Sequence, residues 1–143
     1  MIEIKELTNR DGHLLDSVAD GVFDDSIVAR RCQEFLDDSR HHLIVALSDG
    51  QVVGFASAVH YVHPDKPSPE LWINELGIAP EFRRLGLATS IISKLKEIAG
   101  GLGCSDIWVL TERTNEAAMN LYGSVPGSKS SDAIMFTFPA TGD

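Results

Sequence analysis

The sequence has few cysteines, no long hydrophobic run and no excess of positive charge. Only two of its 143 residues are cysteines, Cys32 and Cys104, and they form no CxxC pair. This spacing gives neither a disulfide framework nor a zinc motif, and it fits a reducing, cytoplasmic setting. No apolar run approaches the ~18 residues that a membrane helix needs. The charged stretch at residues 1–12 lacks the apolar core of a signal peptide.

The charge balance is acidic, with 12 Lys and Arg against 21 Asp and Glu and a formal net charge of −9. An acidic chain repels phosphate backbones, so nucleic acid is a poor candidate partner. It attracts cationic ligands such as polyamines or aminoglycosides, although solubility alone explains the same charge. The histidines at 41, 42, 60 and 63 flank predicted strands without the spacing of a metal-binding helix, so we expect no metal.

Apolar residues make up 43% of the chain and charged residues 23%. This balance and length predict one globular domain over residues 1–143. Apolar periodicity and turn residues predict strands at 2–7, 42–47, 51–61, 71–79, 105–111 and 133–138. They predict a helix at 13–23, a second helix that starts at 24–26 and ends at 38, a long helix from Gly86 to the glycines at 100, 101 and 103, and a shorter helix capped by Asn115. Residues 48–50 are predicted to form a tight turn and residues 63–69 a rigid loop. The order β-α-α-β-β-β-α-β-α-β predicts a mixed α/β sheet flanked by helices.

The most informative segment, residues 74–89, runs from a strand through a turn into a helix. Such a junction presents unpaired backbone N–H groups together with the positive end of the helix dipole, which suits a phosphate or diphosphate. Gly86 and Ala88 are small enough for close approach of a ligand, and Arg83 and Arg84 add positive charge. A glycine that only relieves strain explains the spacing equally well. The glycine patterns of a Walker P-loop and of a dinucleotide fingerprint are both absent.

Three motifs in register resemble the GNAT acetyltransferases. Residues 83–88 match that family's Q/R-x-x-G-x-G/A signature, residues 76–80 resemble its L-x-V-x-P strand end, and residues 115–122 resemble its N-x-x-A-x-x-x-Y helix. The similarity extends over residues 41–138. The proline-rich loop, residues 71–78 and the ending at 135–138 are further similar to GNAT-type aminoglycoside 3-N-acetyltransferases. The resemblance implies a GNAT-like fold with a mixed, mostly antiparallel sheet.

The resemblance also implies direct acetyl transfer from acetyl-coenzyme A to an amine, with no metal, and a possible homodimer. The residues that it assigns to the cofactor are Leu76, Gly77, Ile78, Arg83, Arg84, Leu85, Gly86, Leu87, Ala88, Thr89, Asn115 and Tyr122. For Leu76 and Ile78 the contribution would come from the backbone, which the family's splayed strands free from pairing. Both side chains are also ordinary core residues. The N-cap role alone would explain Asn115.

Two residues are candidates for the chemistry. Glu75 precedes the cofactor-binding strand end and is the candidate base, directly or through a water, or it only attracts the cation. Strand alternation predicts that Ile73, Glu75 and Gly77 share one face. Tyr122 is the candidate acid for the departing thiolate, or it is a core tyrosine.

The acceptor is predicted to be bound by acidic side chains. Glu112 would face it, and the aspartates at 24, 25, 37, 38 and 65 would favour a cation or serve as solvated surface charge. An aminoglycoside- or polyamine-like amine is the leading candidate. A protein N-terminus or lysine, and a cofactor-binding sensor without turnover, are the alternatives.

Overall fold

The computed structural model describes residues 1–142. The strands are β1 (Ile2–Glu6), β2 (His41–Ser48), β3 (Gln51–Tyr61), β4 (Glu70–Ile78) and β5 (Asp106–Val109). The helices are α1 (Ala29–Asp37), α2 (Leu87–Gly101) and α3 (Glu116–Gly123), with short 3-10 turns at Gly12–Asp16 and Pro80–Phe82. The chain divides into two compact units, Met1–Leu110 and Thr111–Asp143, which are described separately below. The single domain over residues 1–143 stays a prediction.

The first unit is built on one five-stranded sheet with the order β1-β2-β3-β4-β5. The first three strand pairs are antiparallel and the β4–β5 pair is parallel, which confirms the mixed, mostly antiparallel sheet. Asp49 and Gly50 join β2 to β3 with φ angles of 50° and 79°. Two successive left-handed residues are typical of the tight hairpin turn that the sequence predicts.

The core extends over both faces of the central strands, and α2 packs against it. Ile44, Val45 and Val53 of the sheet are fully buried, as are Ile91 and Leu95 of α2. Residues of α2 recur at helical spacing on its buried side, as predicted, because the helix has one apolar stripe. Each such side chain contributes about 1.5–3 kcal/mol when it leaves water. This packing fixes the start of α2 relative to the end of β4.

The predicted helix at 13–23 is wrong beyond its first turn. Only Gly12–Asp16 is helical, as a 3-10 turn. Val52 then pairs with the chain on both sides of Val18, since its N–H donates to Ser17 O and its carbonyl accepts from Ala19 N, both at 2.9 Å. Gly21 follows with a φ of +82°. Pairing with β3 therefore overrides the local helical pattern.

The second predicted helix begins later than expected. Helix α1 starts at Ala29, with Val28 extended at the N-cap and no side-chain cap. Ile27 and Val28 are β-branched, which disfavours a helix start. Residues 24–26 therefore lie in the preceding loop. The predicted glycine stop of α2 is also displaced. The helix includes Gly100 and Gly101, and Gly103 adopts the left-handed conformation after it.

The predicted strand at 133–138 is also wrong. Within the described part of the second unit, residues 124–142 contain no helix or strand. The alternating apolar pattern is present, but a strand exists only with a pairing partner, and no backbone hydrogen bond of residues 133–138 is found. Helix α3 is the one regular element that the structure describes in this unit. Among residues 1–142, no helix is long and apolar enough to cross a bilayer.

Candidate functional site

A bulge in β4 determines where Glu75 points. Ser57 of β3 pairs with Glu75, whereas the next residue, Ala58, pairs with Ile73, so Asn74 is an extra residue in β4. Directly opposed residues share a face of the sheet, and consecutive residues of β3 face opposite sides. Glu75 therefore lies on the face of Ser57 and Ile73 on the other. The prediction that Ile73 and Glu75 share a face is wrong, because a bulge interrupts the alternation of side chains.

Glu75 belongs to a row of three residues across the sheet. Leu43 pairs with Ser57, and Ser57 pairs with Glu75. The Ser57 hydroxyl is buried and donates to Oε1 of Glu75 across 3.3 Å, while the rest of the Glu75 side chain is exposed. The carboxylate is therefore oriented from below by the sheet and open above it.

A cavity of about 260 Å³ lies over this row, and we call it the acceptor cavity. Its walls come from β2, β3, β4 and the chain before and within α1: Leu15, Phe23, Asp24, Asp25, Ser26, Ile27, Val28, Arg31, Cys32, Phe35, Leu43, Phe55, Ser57 and Glu75. The lining includes three carboxylates and one basic side chain, Arg31, which is bound to Glu34 at 2.8 Å. The walls are otherwise largely apolar, so the cavity suits a cation that carries apolar surface.

A second depression of about 660 Å³ lies along the outer side of α1. It is lined by Arg30, Gln33, Glu34, Asp37 and Asp38, with no residue from the sheet and no apolar side chain. Although it is larger, it is a solvated charged surface. The acidic residues that the sequence predicts near the acceptor thus lie in two different places. Asp24 and Asp25 line the acceptor cavity, whereas Asp37 and Asp38 line the depression on α1.

The end of β4 has an unpaired backbone edge. β4 pairs with β5 only from Glu70 to Ile73, so among residues 1–142 the edge of residues 74–78 on that side has no strand partner. Gly77 is required in this stretch, since a Cβ there would lie 2.2 Å from the carbonyl oxygen of Val22. The splayed edge leaves backbone groups available for an extended, amide-containing ligand. Leu76, Gly77 and Ile78 are the predicted cofactor residues at this edge.

The bend between β4 and α2 is shaped for an anion. Arg84 and Gly86 adopt left-handed φ angles of 64° and 79°, and the first helical bond of α2 runs from Ser90 N to Gly86 O at 3.1 Å. In the described chain, the N–H groups of Leu87, Ala88 and Thr89 find no protein acceptor. These three N–H groups lie at the positive end of a 15-residue helix.

The cationic and small residues that flank this bend leave it open. Arg83 and Arg84 are exposed, and Arg83 Nε donates to the carbonyl of Ile78 at 3.2 Å, which ties the bend to the strand end. Leu85 is exposed as well. A Cβ built on Gly86 meets nothing within 4 Å, so a ligand has room beside the backbone. The predicted diphosphate-binding residues 83–89 thus form one continuous, accessible bend.

The second unit holds the three remaining predicted residues. Asn115 caps α3, as predicted, since its side-chain oxygen accepts from Ala118 N at 3.0 Å. The N–H of Asn115 donates to the carbonyl of Glu112 at 3.0 Å, and the Glu112 side chain is exposed. Tyr122 is half-buried on α3, and burial raises the pKa of its phenol.

Sequence reasoning missed two parts of the site, the Ser57 hydroxyl and the pair Phe23 and Phe55. A single serine in an apolar strand matches no sequence motif. Its role could be inferred only from the strand register, which places it opposite Glu75. Of the four histidines near strand ends, His42 and His60 are bonded to each other. Among residues 1–142, no cluster of three or more potential ligands is placed to hold a metal.

Comparison with known proteins identifies the fold and its family. The family model described as "Acetyltransferase (GNAT) family" matches residues 4–125. N-acetyltransferase 8 of Rattus norvegicus is 25% identical over 72% of this chain and 46% of its own length. Aminoglycoside N(6')-acetyltransferase type 1 of Salmonella typhimurium is 23% identical over 73% of each chain. The chain spans about half to three fifths of the length of several curated relatives that it matches.

Solved structures show the same fold at low sequence identity. An aminoglycoside acetyltransferase from an uncultured soil metagenomic sample, in complex with sisomicin, superposes with a TM-score of 0.83 at 15% identity, over 98% of this chain and 97% of that one. A ribosomal-protein-alanine N-acetyltransferase from Brucella melitensis biovar Abortus reaches 0.73 at 21% identity, over 97% and 99%.

Proposed function

Because the chain belongs to the acetyltransferase (GNAT) family, we propose that it transfers an acetyl group from acetyl-coenzyme A to a primary amine of a small cationic acceptor. One observation carries the proposal. The Glu75 carboxylate lines the acidic acceptor cavity and lies just past the point where β4 loses its pairing with β5. An amine in the cavity and a thioester along the unpaired edge of β4 would therefore meet beside Glu75.

Acetyl-coenzyme A supplies an acetyl thioester, and the bend before α2 has the groups to hold its diphosphate. The N–H groups of Leu87, Ala88 and Thr89 would bind the phosphate oxygens, as helix starts do. The guanidinium groups of Arg83 and Arg84 would add positive charge, while Leu85 and Gly86 leave the backbone accessible. The backbone of Leu76, Gly77 and Ile78 would hold the pantetheine arm, with Asn115 as a further contact.

The acceptor has to lose a proton before it can attack. An alkylammonium group has a pKa of ~10.4, so it arrives charged, and the carboxylates of the acceptor cavity would attract it. Glu75 would take the proton, directly or through a water. The nitrogen then bonds to the acetyl carbon, and the bond from carbon to sulfur breaks. Tyr122 would donate its proton to the departing thiolate. Burial raises the pKa of its phenol, which is therefore protonated at neutral pH.

The acidic, partly apolar cavity favours an aminoglycoside- or polyamine-like acceptor over a neutral peptide. One curated relative is named for acetylation of aminoglycosides, and Glu112 is a further predicted contact of the acceptor. A solved structure with the same fold is named for acetylation of a ribosomal protein, which supports a protein acceptor as the alternative. A protein acceptor, and an acetyl-coenzyme A sensor without turnover, are therefore distinct outcomes of the experiment below.

The experiment measures thiol release from acetyl-coenzyme A by the wild-type protein and by Glu75→Gln. We expect kcat/KM for a cationic amine to fall by about 10²-fold or more in Glu75→Gln, the range of a lost general base. The matched control is Glu3→Gln, which changes an exposed strand glutamate of β1 and should match the wild type. An unchanged rate in Glu75→Gln would remove Glu75 from the mechanism. Binding of acetyl-coenzyme A without thiol release for any amine would indicate a sensor.

A cytoplasmic location and a homodimer stay predictions. Both cysteines are free thiols, as a reducing cytoplasm would leave them. A homodimer is implied only by the family resemblance, and light scattering on the full chain would measure its mass.

A further inference from the structure

We propose that Ser57 is a positioning residue that holds the Glu75 carboxylate in its reactive orientation. This inference rests on the proposed function of Glu75 and goes beyond it by assigning a role to a strand residue that no sequence motif marks. It depends on three observations: the burial of the hydroxyl, its bond to Glu75, and the bulge that brings the two residues together.

The first observation is that the Ser57 hydroxyl is buried in an apolar strand. Ser57 is only 6% exposed, and β3 is otherwise apolar from Val52 to Val59 apart from Gly54. A buried hydroxyl costs free energy unless it is hydrogen-bonded. Among the described residues, the side chain of Ser57 has one hydrogen-bond partner, Oε1 of Glu75. The hydroxyl therefore satisfies its hydrogen-bonding capacity as a donor through this carboxylate.

The second observation is the geometry of the bond. The oxygen atoms of Ser57 and Glu75 are 3.3 Å apart. This is long for a bond between a hydroxyl and a carboxylate, and bonds to catalytic groups are often long before substrate binds. Because only Oε1 is bonded, Oε2 remains available to an amine or a water in the acceptor cavity. A carboxylate held by one oxygen is restricted in its rotation and keeps the other oxygen for chemistry.

The third observation is that the contact exists only because of the bulge. With regular pairing after Ile73, the residue opposite Ser57 would be Asn74, and Glu75 would face the other side of the sheet. The extra residue turns Glu75 onto the face that carries Ser57, Leu43 and the acceptor cavity. Bulges re-aim side chains beside active sites in this way. Ser57 then fixes the carboxylate where the bulge has placed it.

The test is a kinetic double-mutant cycle on the full chain with Ser57→Ala, Glu75→Gln and the double variant. We expect Ser57→Ala to lower kcat by about 5-fold, the effect of one ordinary hydrogen bond. The KM for acetyl-coenzyme A should change by less than about 2-fold, because the diphosphate bend is untouched. In the Glu75→Gln background the same substitution should have almost no effect, since a residue that acts through another loses its role with it.

Two further variants separate positioning from strand stability. Ser57→Thr keeps the hydroxyl and should recover most of kcat. Ala58→Gly weakens β3 at the neighbouring buried position on the other face and should leave kcat unchanged. Equal losses from Ser57→Ala in both backgrounds, or no loss in the wild-type background, would overturn the role of Ser57 while Glu75 remains the base. No loss from Glu75→Gln itself would instead overturn the proposed function.

Discussion

Phe23 stacks on Phe55 of β3, with ring centroids 3.9 Å apart and planes inclined by 26°. Aromatic pairs contribute about 0.5–1.5 kcal/mol beyond the area that they bury. The stack holds the chain before α1 against the sheet, and the next two residues are Asp24 and Asp25. A packing contact thereby places two carboxylates in the same cavity as Glu75.

We predict that Asp24→Asn combined with Asp25→Asn raises the KM for a polycationic acceptor by about 5–10-fold, with kcat changed little. The reason is that these carboxylates attract the acceptor without taking part in the reaction, and exposed charges act at a distance that salt screens. The salt dependence of kcat/KM should fall in the same variant. Steady-state kinetics at low and at 0.5 M salt measure both effects.

The matched control for this variant is Asp37→Asn on the outer side of α1. Asp37 is an exposed aspartate of the same unit that does not line the acceptor cavity. If Asp37→Asn raised the KM as much as the double substitution, the effect would come from net charge alone and not from the cavity.

The sequence predicted the parts of the fold that depend on local pattern. Strands β2 and β3, the hairpin turn and the apolar face of α2 follow from alternation, from residues that tolerate positive φ and from helical spacing. The Asn115 cap was predicted because an N-cap needs only its own side chain and the next turn.

What the sequence could not predict depends on contacts between distant segments. Pairing of residues 17–19 with Val52 replaces the predicted helix, and residues 133–138 carry a strand pattern without a pairing partner. The bulge at Asn74 places Glu75 on the opposite face of the sheet from Ile73. An asparagine at that position does not by itself predict a bulge. The candidate residue could therefore be named from a motif, but its neighbours Ser57, Asp24 and Asp25 could be assembled only by the fold.

We predict that Gly86→Ala weakens binding of acetyl-coenzyme A and lowers the unfolding free energy by about 1–2 kcal/mol. Gly86 has a φ of +79°, and a Cβ in the left-handed region costs that amount. A shifted bend would misalign the N–H groups of Leu87 and Ala88. Calorimetric titration and urea unfolding measure the two effects.

Gly100→Ala in α2 serves as the comparison for Gly86→Ala. Gly100 is helical, and a Cβ there meets nothing within 4 Å. Alanine at this position should leave cofactor binding unchanged and stabilise the chain by up to about 1 kcal/mol. Normal binding by Gly86→Ala would show that the bend does not hold the diphosphate.

We predict that Tyr122→Phe lowers kcat by about 10²-fold, the lower end for a general acid, while the Kd for coenzyme A changes by less than about 2-fold. Burial raises the pKa of Tyr122 above its usual ~10. The phenol therefore stays protonated below pH 9, and the ratio of the wild-type and variant rates should be constant from pH 6 to 9. Pre-steady-state measurement of the acetyl transfer step tests this, and an unchanged kcat would exclude Tyr122.

A pH-dependent stability is expected from His60. Nδ1 of His60 lies 2.7 Å from Nε2 of His42, whose Nδ1 is 3.3 Å from Glu6. Burial lowers the pKa of His60, and the charges of His42 and Arg40 add to this, with Asp38 opposing. The unfolded imidazole has a pKa of ~6.5, so as the pH falls through that value the unfolded chain takes up the proton first. The contribution of His60 to stability is therefore full above pH 7 and declines below it.

The urea midpoint should decrease as the pH is lowered from 7.5 to 5.5. His60→Gln should make this decrease smaller. His13→Gln, at an exposed histidine, should leave it unchanged. An equal pH dependence in the wild type and in His60→Gln would assign the decline to other groups.

We propose that the Glu75 side of the sheet accepts small cationic amines for acetylation. The most direct test is the initial rate of thiol release from acetyl-coenzyme A with sisomicin, spermidine and a neutral alanine-terminated peptide at equal concentration. We expect a kcat/KM at least about 10-fold higher for one or both of the cations than for the peptide, and loss of that rate in Glu75→Gln. Faster acetylation of the peptide, or equal rates in the wild type and Glu75→Gln, would contradict it.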